Sequence, residues 1–186
     1  MKLIIISASL VVLTAFAIYA LRQFISRRER ERTIVELELL PPVKMDFSTP
    51  EGAILCLEQT YPKNDIEAGI ACHDFETLAR VWLREGHNYD RETLKEMLPA
   101  MTKTFEDGYR KNNASGSVPG WDVAKSYFLK REPYGEGLVA VSKVAVGPDR
   151  SLFRQCILVA ETPNGWRVVT PLVKRPEGWR VNTTTQ

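Results

Sequence analysis

The chain has 186 residues, a formal charge of +2 and three cysteines. Much of the positive charge sits in one short arginine-rich segment, so no strongly basic face is left for nucleic acid. Cys56, Cys72 and Cys156 are odd in number and lack C-x-x-C spacing, which fits a reducing compartment, although a free thiol also occurs in exported proteins.

Leu3 to Leu21 carries no charge, and Ser7, Ser9 and Thr14 are its polar interruptions. At about 1.5 Å per helical residue, such a run nearly crosses a hydrocarbon layer of about 30 Å. Ala15-Phe16-Ala17 has the small-x-small shape of a signal-peptide cleavage site. The apolar run nevertheless continues to Leu21, and Arg22, Arg27, Arg28, Arg30 and Arg32 follow, as in a stop-transfer flank. Residues 1–32 are therefore expected to form an uncleaved single-pass anchor with a basic flank. Lys2 alone precedes the span, so the arginines favour a cytoplasmic C-terminal domain, with the extracytoplasmic side as the alternative.

Residues 33–47 alternate acids with Leu and Val, then reach Pro41-Pro42, and read as a stalk. Residues 48–186 suit one domain with one core. Thr49 before Pro50, or Ser48 with Glu51, predicts a helix start, with Ala53, Leu57 and Tyr61 on one face and Pro62 as the stop. Asn64 or Asp65 caps a second helix that carries Ile66 and Ile70. Asp74 caps another, with Phe75, Leu78, Ala79, Trp82 and Leu83 as its stripe and Gly86 as its end. A further helix begins near Asp90, aligns Leu94, Met97, Leu98, Met101 and Phe105, and is expected to kink or divide at Pro99.

After the loop at 112–120 the apolar period changes from helical to alternating. Strands are expected at 122–131, 137–146, 151–161, 165–173 and 178–183, with turns at Gly147-Pro148-Asp149-Arg150 and Pro163-Asn164-Gly165. Gly-Trp-Arg-Val occurs at 165–168 and again at 178–181, a spacing too short for a solenoid repeat. The fold class is α+β: helices, then a meandering antiparallel sheet packed on them.

Three features together resemble the cystatin-like superfamily typified by nuclear transport factor two and ketosteroid isomerase. They are Thr49-Pro50-Glu51, the Asp65-Ile66-Glu67-Ala68 turn, and the strands carrying Gly-Trp-Arg-Val. That resemblance implies a curved sheet wrapped round the helices as a cone. Ala53, Ile54, Glu58, Tyr61, Asp65, Ile66, Glu67, Asp74 and Phe75 also resemble the N-terminal pattern of bacterial immunity proteins of that fold.

His73 lies beside Cys72, Glu67 and Asp74, but helical neighbours diverge, and no second Cys or His stands at ligand spacing. No metal, cofactor or catalytic set is therefore expected. A capping Asp74 beside a semi-exposed His73 is the reading. His87 suits a helix C-terminus, where a cationic imidazole is favoured. A ketosteroid-isomerase-like enzyme would need a carboxylate and a tyrosine together; Asp122, Glu132 and Glu161, with Tyr109, Tyr127 and Tyr134, are the candidates. Trp82 and Trp166 are expected in the core, and Trp121, Tyr127, Tyr134 and Trp179 on a ligand or partner rim. The leading expectation is a membrane-anchored, non-enzymatic protein-binding domain, with toxin neutralisation as its sharpest form. A small pocket enzyme and a structural subunit of an inner-membrane secretion assembly are the alternatives.

Overall fold

In the computed structural model residues 2–87, 89–114, 125–135 and 137–171 are described, apart from the side chains of 2–18, 20, 85–87 and 171. The chain divides into two compact units, Met1–Leu40 and Pro41–Gln186. The first consists mainly of helix α1 (Lys2–Glu38), so the first residues of the expected stalk are helical. Tyr19, Leu21, Phe24 and Ile25 are exposed, and the Arg28 guanidinium lies 4.9 Å above the Phe24 ring. Among the described residues no helix is long and apolar enough to cross a membrane. Most of the run expected to do so, Leu3–Leu21, lies outside the described side chains.

The second unit starts its helices where short polar side chains meet free backbone N–H groups. Thr49 accepts from the Gly52 amide at 3.1 Å and opens α2 (Pro50–Glu58). Asp65 accepts from Ala68 at 3.0 Å and opens α3 (Ile66–Ala71). Asp74 accepts from Thr77 at 2.9 Å and opens α4 (Phe75–His87), which runs one residue past Gly86. Asp90 accepts from Glu92 at 2.9 Å and Thr93 at 2.8 Å and opens α5 (Arg91–Ala114).

Pro99 does not divide α5. A proline removes one N–H bond, and packing along α4 supports the turns on either side.

Four strands follow: β1 (Lys125–Gly135), β2 (Leu138–Val146), β3 (Leu152–Thr162) and β4 (Gly165–Pro171), antiparallel in the order β1-β2-β3-β4. The expected strand at 178–183 lies outside the described residues. At the β3–β4 turn Gly165 has φ +94°, and a Cβ there would run into the Phe47 carbonyl. The Trp166 amide donates to that same carbonyl at 2.8 Å, and the Arg167 guanidinium lies 4.0 Å above the Phe47 ring.

Alternation along β2 separates two packing faces. On one, Val141 with Ile157, Val159 and Val168 meets Ile54 and Leu57 of α2. On the other, Ala140 with Cys156, Leu158, Ala160 and Val169 meets Leu78 and Val81 of α4. Helices therefore cover both faces, which is why β2 is buried at nearly every position rather than at every second one.

Residues 72–74, between α3 and α4, extend the sheet by one bridge. The Val168 amide donates to the Cys72 carbonyl and the Asp74 amide to the Val168 carbonyl, each at 2.9 Å. This ties His73 to the β4 edge.

An aromatic cleft as the candidate functional site

Of the four residues expected on a rim, Tyr127 and Tyr134 are described. Trp121 and Trp179 lie outside the described residues. Tyr127 is buried on β1, with the Lys125 ammonium 5.0 Å from its ring. Tyr134 packs against the cluster of Ala140, Cys156 and Leu158. Tyr127 is core and Tyr134 is partly buried at its edge, on a strand that bulges between Phe128 and Lys130 and between Pro133 and Gly135.

Of the aromatics expected in the core, Trp166 does pack against it. Trp82 does not: it is 42% exposed and meets Phe105 edge-on, with centroids 6.3 Å apart. Phe75, Ala79 and Leu83, spaced four apart, form the buried stripe of α4 and leave Trp82 on its flank.

The acids proposed to pair with a tyrosine have these surroundings. Glu132 pairs with Lys130 at 2.6 Å, and Glu161 lines a small hollow of about 120 Å³ with Arg80 and Arg84. Asp122 and the His87 side chain lie outside the description. Among the described residues, no group of three or more His, Cys, Asp or Glu is placed to hold a metal ion.

A different site is present. A cleft of about 340 Å³ lies among α3, α4, α5 and β4, lined by Tyr61, His73, Phe75, Leu78, Thr104, Phe105, Gly108, Tyr109, Asn112, Val169 and Thr170. No residue with a formal charge at neutral pH is among these, apart from what His73 can carry. The His73 ring stacks on Phe75, with centroids 4.9 Å apart and planes 11° from parallel. Tyr109 inclines at 58° to His73 and 59° to Phe75.

Close approach of α3 to α5 fixes this arrangement. Gly69 faces Tyr109, and a Cβ there would run into the phenol oxygen and ring. Thr60 donates to the Leu57 carbonyl at 2.7 Å and also meets the Tyr109 hydroxyl.

His73 is the polar centre of the cleft. Nδ1 lies 2.8 Å from the Gly69 carbonyl, which can only accept, so Nδ1 carries the proton and Nε2 presents a lone pair. Burial holds the imidazole below its ordinary pKa and therefore neutral at pH 7, against the smaller opposing effect of the Gly69 bond. Nε2 makes no hydrogen bond to any described residue. Burial also raises the phenols of Tyr61 and Tyr109, and pushes the Cys72 thiol up to about 11. The cleft is thus an uncharged, largely aromatic surface with an oriented acceptor at His73, beside the hydroxyl and amide groups of Thr104, Asn112 and Thr170. Sequence spacing treated Cys72, His73 and Asp74 as helical neighbours, whereas they lie in the bridge between α3 and α4, and it gave no sign that α5 would bring Tyr109 to His73.

The opposite face of the sheet holds its charges differently. Arg131 reaches both carboxylate oxygens of Glu51, one at 2.5 Å, and Lys143 pairs with Glu58. Burial pulls the Lys143 ammonium down to about 8, while the Glu58 carboxylate opposes that shift.

No family model matches the chain, and no curated protein matches it. Among solved structures it is similar to a protein described as an NTF2-like transpeptidase from Campylobacter jejuni. Identity is 12% and the TM-score 0.37, with 65% of this chain and 97% of that one covered. A likeness at that level fixes neither family nor activity.

Proposed function

We propose that the protein is a membrane-tethered, non-enzymatic binding module that recognises another protein through the aromatic cleft. Neutralisation of a toxin, as by an immunity protein, is the sharpest form of this reading. One observation carries it: the cleft is lined by rings from α4, α5 and the segments that precede α3 and α4, with no carboxylate or cationic side chain in its described lining. Such a surface suits an apolar anchor from a partner, the kind of contact that dominates interface energetics. Tethering is supported by the uncharged run Leu3–Leu21 and the arginines that follow it, which also favour the cytoplasmic side.

A photo-crosslinking residue in place of Phe105 tests this in native membranes. A discrete protein adduct is expected from that position and none from Leu129, an exposed residue of β1. Absence of an adduct from Phe105 would count against a protein partner. Extraction at alkaline pH should leave the full chain in the membrane pellet. Recovery of a soluble chain starting near Ile18 would count against the tether.

A pocket enzyme is the second reading, and the observation favouring it is the neutral His73 with its open Nε2, a state suited to a general base. Loss of a measured turnover in His73→Gln, with binding retained, would establish it over the first.

A further inference from the structure

We infer that the cleft binds a neutral aromatic side chain of a partner protein that carries a ring N–H or O–H, as tryptophan and tyrosine do, with that donor on Nε2 of His73. This rests on the protein-binding reading and names the chemistry of what binds.

Size comes first. About 340 Å³ is near the lower end of the roughly 300–1,000 Å³ usual for ligand pockets and has room for an aromatic side chain. Charge comes next. A carboxylate, phosphate or ammonium entering the cleft would be desolvated with no countercharge from the described lining. Ring geometry then favours a planar guest. His73 on Phe75 forms one stacked pair, and Tyr109 stands inclined to both, so a further ring finds faces and edges at angles that aromatic pairs prefer.

The hydrogen-bond inventory selects among rings. The Gly69 carbonyl fixes the imidazole tautomer, leaving Nε2 as a half-buried acceptor with no described partner. A phenylalanine would cover that lone pair without satisfying it, whereas an indole N–H or phenol O–H satisfies it.

Access is provided by Gly108. It lines the cleft from the body of α5, and a Cβ added there meets nothing within 4 Å. Glycine inside a helix costs about 1 kcal/mol relative to alanine. A side chain at this lining position would project into open space.

The test uses the full chain in lipid nanodiscs, with side-chain ¹⁵N resonances of histidine followed by NMR. The probes are N-acetyl-tryptophanamide and its 1-methyl-indole analogue, which keeps the ring and loses the donor. The expected result is a saturable shift of His73 Nε2 with the first, and binding about three- to tenfold weaker with the second. His73→Phe should bring the two probes to equal affinity. Gly108→Leu, which fills that space and improves helix propensity, should abolish binding while the chain stays folded.

Equal affinity of the two probes for the unaltered chain would overturn the inference, as would full binding to Gly108→Leu. A rise in affinity on Trp179→Ala would also overturn it, because the chain's own indole would then be the occupant. If the amide binds but Phe105 crosslinks to no protein, the protein-binding reading falls and a free aromatic compound is the guest. If a partner crosslinks but the amide leaves His73 unmoved, that reading stands and the inference falls.

Discussion

The two faces of the sheet handle buried polar groups in opposite ways. Under α2, each charged group has a partner of opposite sign: Glu51 with Arg131, Glu58 with Lys143. Around the cleft between α4, α5 and the β4 edge, charges are absent from the described lining, and Nε2 of His73 has no hydrogen bond to a described residue. Closed ion pairs position a helix on a sheet and leave nothing for a ligand. An open acceptor among rings costs stability in the free protein and gains a partner when something binds. The difference marks the α2 face as scaffold and the cleft as site.

The largest expected effect falls on the scaffold. Lys143→Met leaves the Glu58 carboxylate, 13% exposed, without its partner and should cost about 3–5 kcal/mol in urea denaturation. Adding Glu58→Leu should recover most of that loss, because replacing both members of a buried pair with apolar groups is often neutral or better. Probe binding in the cleft should be the same in the double variant. A change there would show that the faces are coupled.

Gly69→Ala acts on the other side. Its methyl group collides with Tyr109, so a cost of about 1–3 kcal/mol is expected from overpacking. Unlike the double variant, it should also weaken probe binding, because Tyr109 is a wall of the cleft. Asp74→Ala removes the cap of α4 and should cost about 0.5–2 kcal/mol by thermal or urea denaturation. Probe affinity measured on the folded fraction should change little.

The smallest effect is one of pH. Burial lowers His73 from its ordinary value of 6.5, so between 6.5 and the lower folded value the unfolded chain binds more protons than the folded one. Stability should be full above pH 6.5, decline as pH falls toward the folded value, and level off below it. Tyr61, Tyr109 and Cys72, which face or adjoin the imidazole, are all raised and remain neutral across that window. His73→Phe should remove this component of the slope, seen as the difference between the two stability–pH curves.

Local chemistry made much of the fold legible. Thr49, Asp65, Asp74 and Asp90 cap where their short oxygen-bearing side chains precede an apolar helical pattern, and all four hydrogen bonds form. The turns at Gly147–Arg150 and Pro163–Gly165 also fall where glycine, proline and Asx residues cluster. Here Gly147 donates to Ser151 at 2.9 Å, Arg150 sits at φ +63°, and Gly165 sits at φ +94°. The cleft was not legible, because it depends on approach between elements distant in sequence. Gly69 faces Tyr109 of α5, 40 positions further along the chain. Tyr127 reads as a rim residue until it is seen buried on β1, a strand that bulges between Phe128 and Lys130. Alternation could separate the faces of β2, yet its near-continuous burial shows that helices would cover both.

The tautomer of His73 tests the central claim most directly. The chain has two histidines, so side-chain long-range ¹H–¹⁵N correlations at neutral pH can be assigned with one substitution at His87. Nδ1 should resonate as a protonated, pyrrole-type nitrogen and Nε2 as a bare, pyridine-type nitrogen, the state in which the cleft presents an acceptor. A proton on Nε2 at neutral pH, in either the other tautomer or the imidazolium, would contradict it.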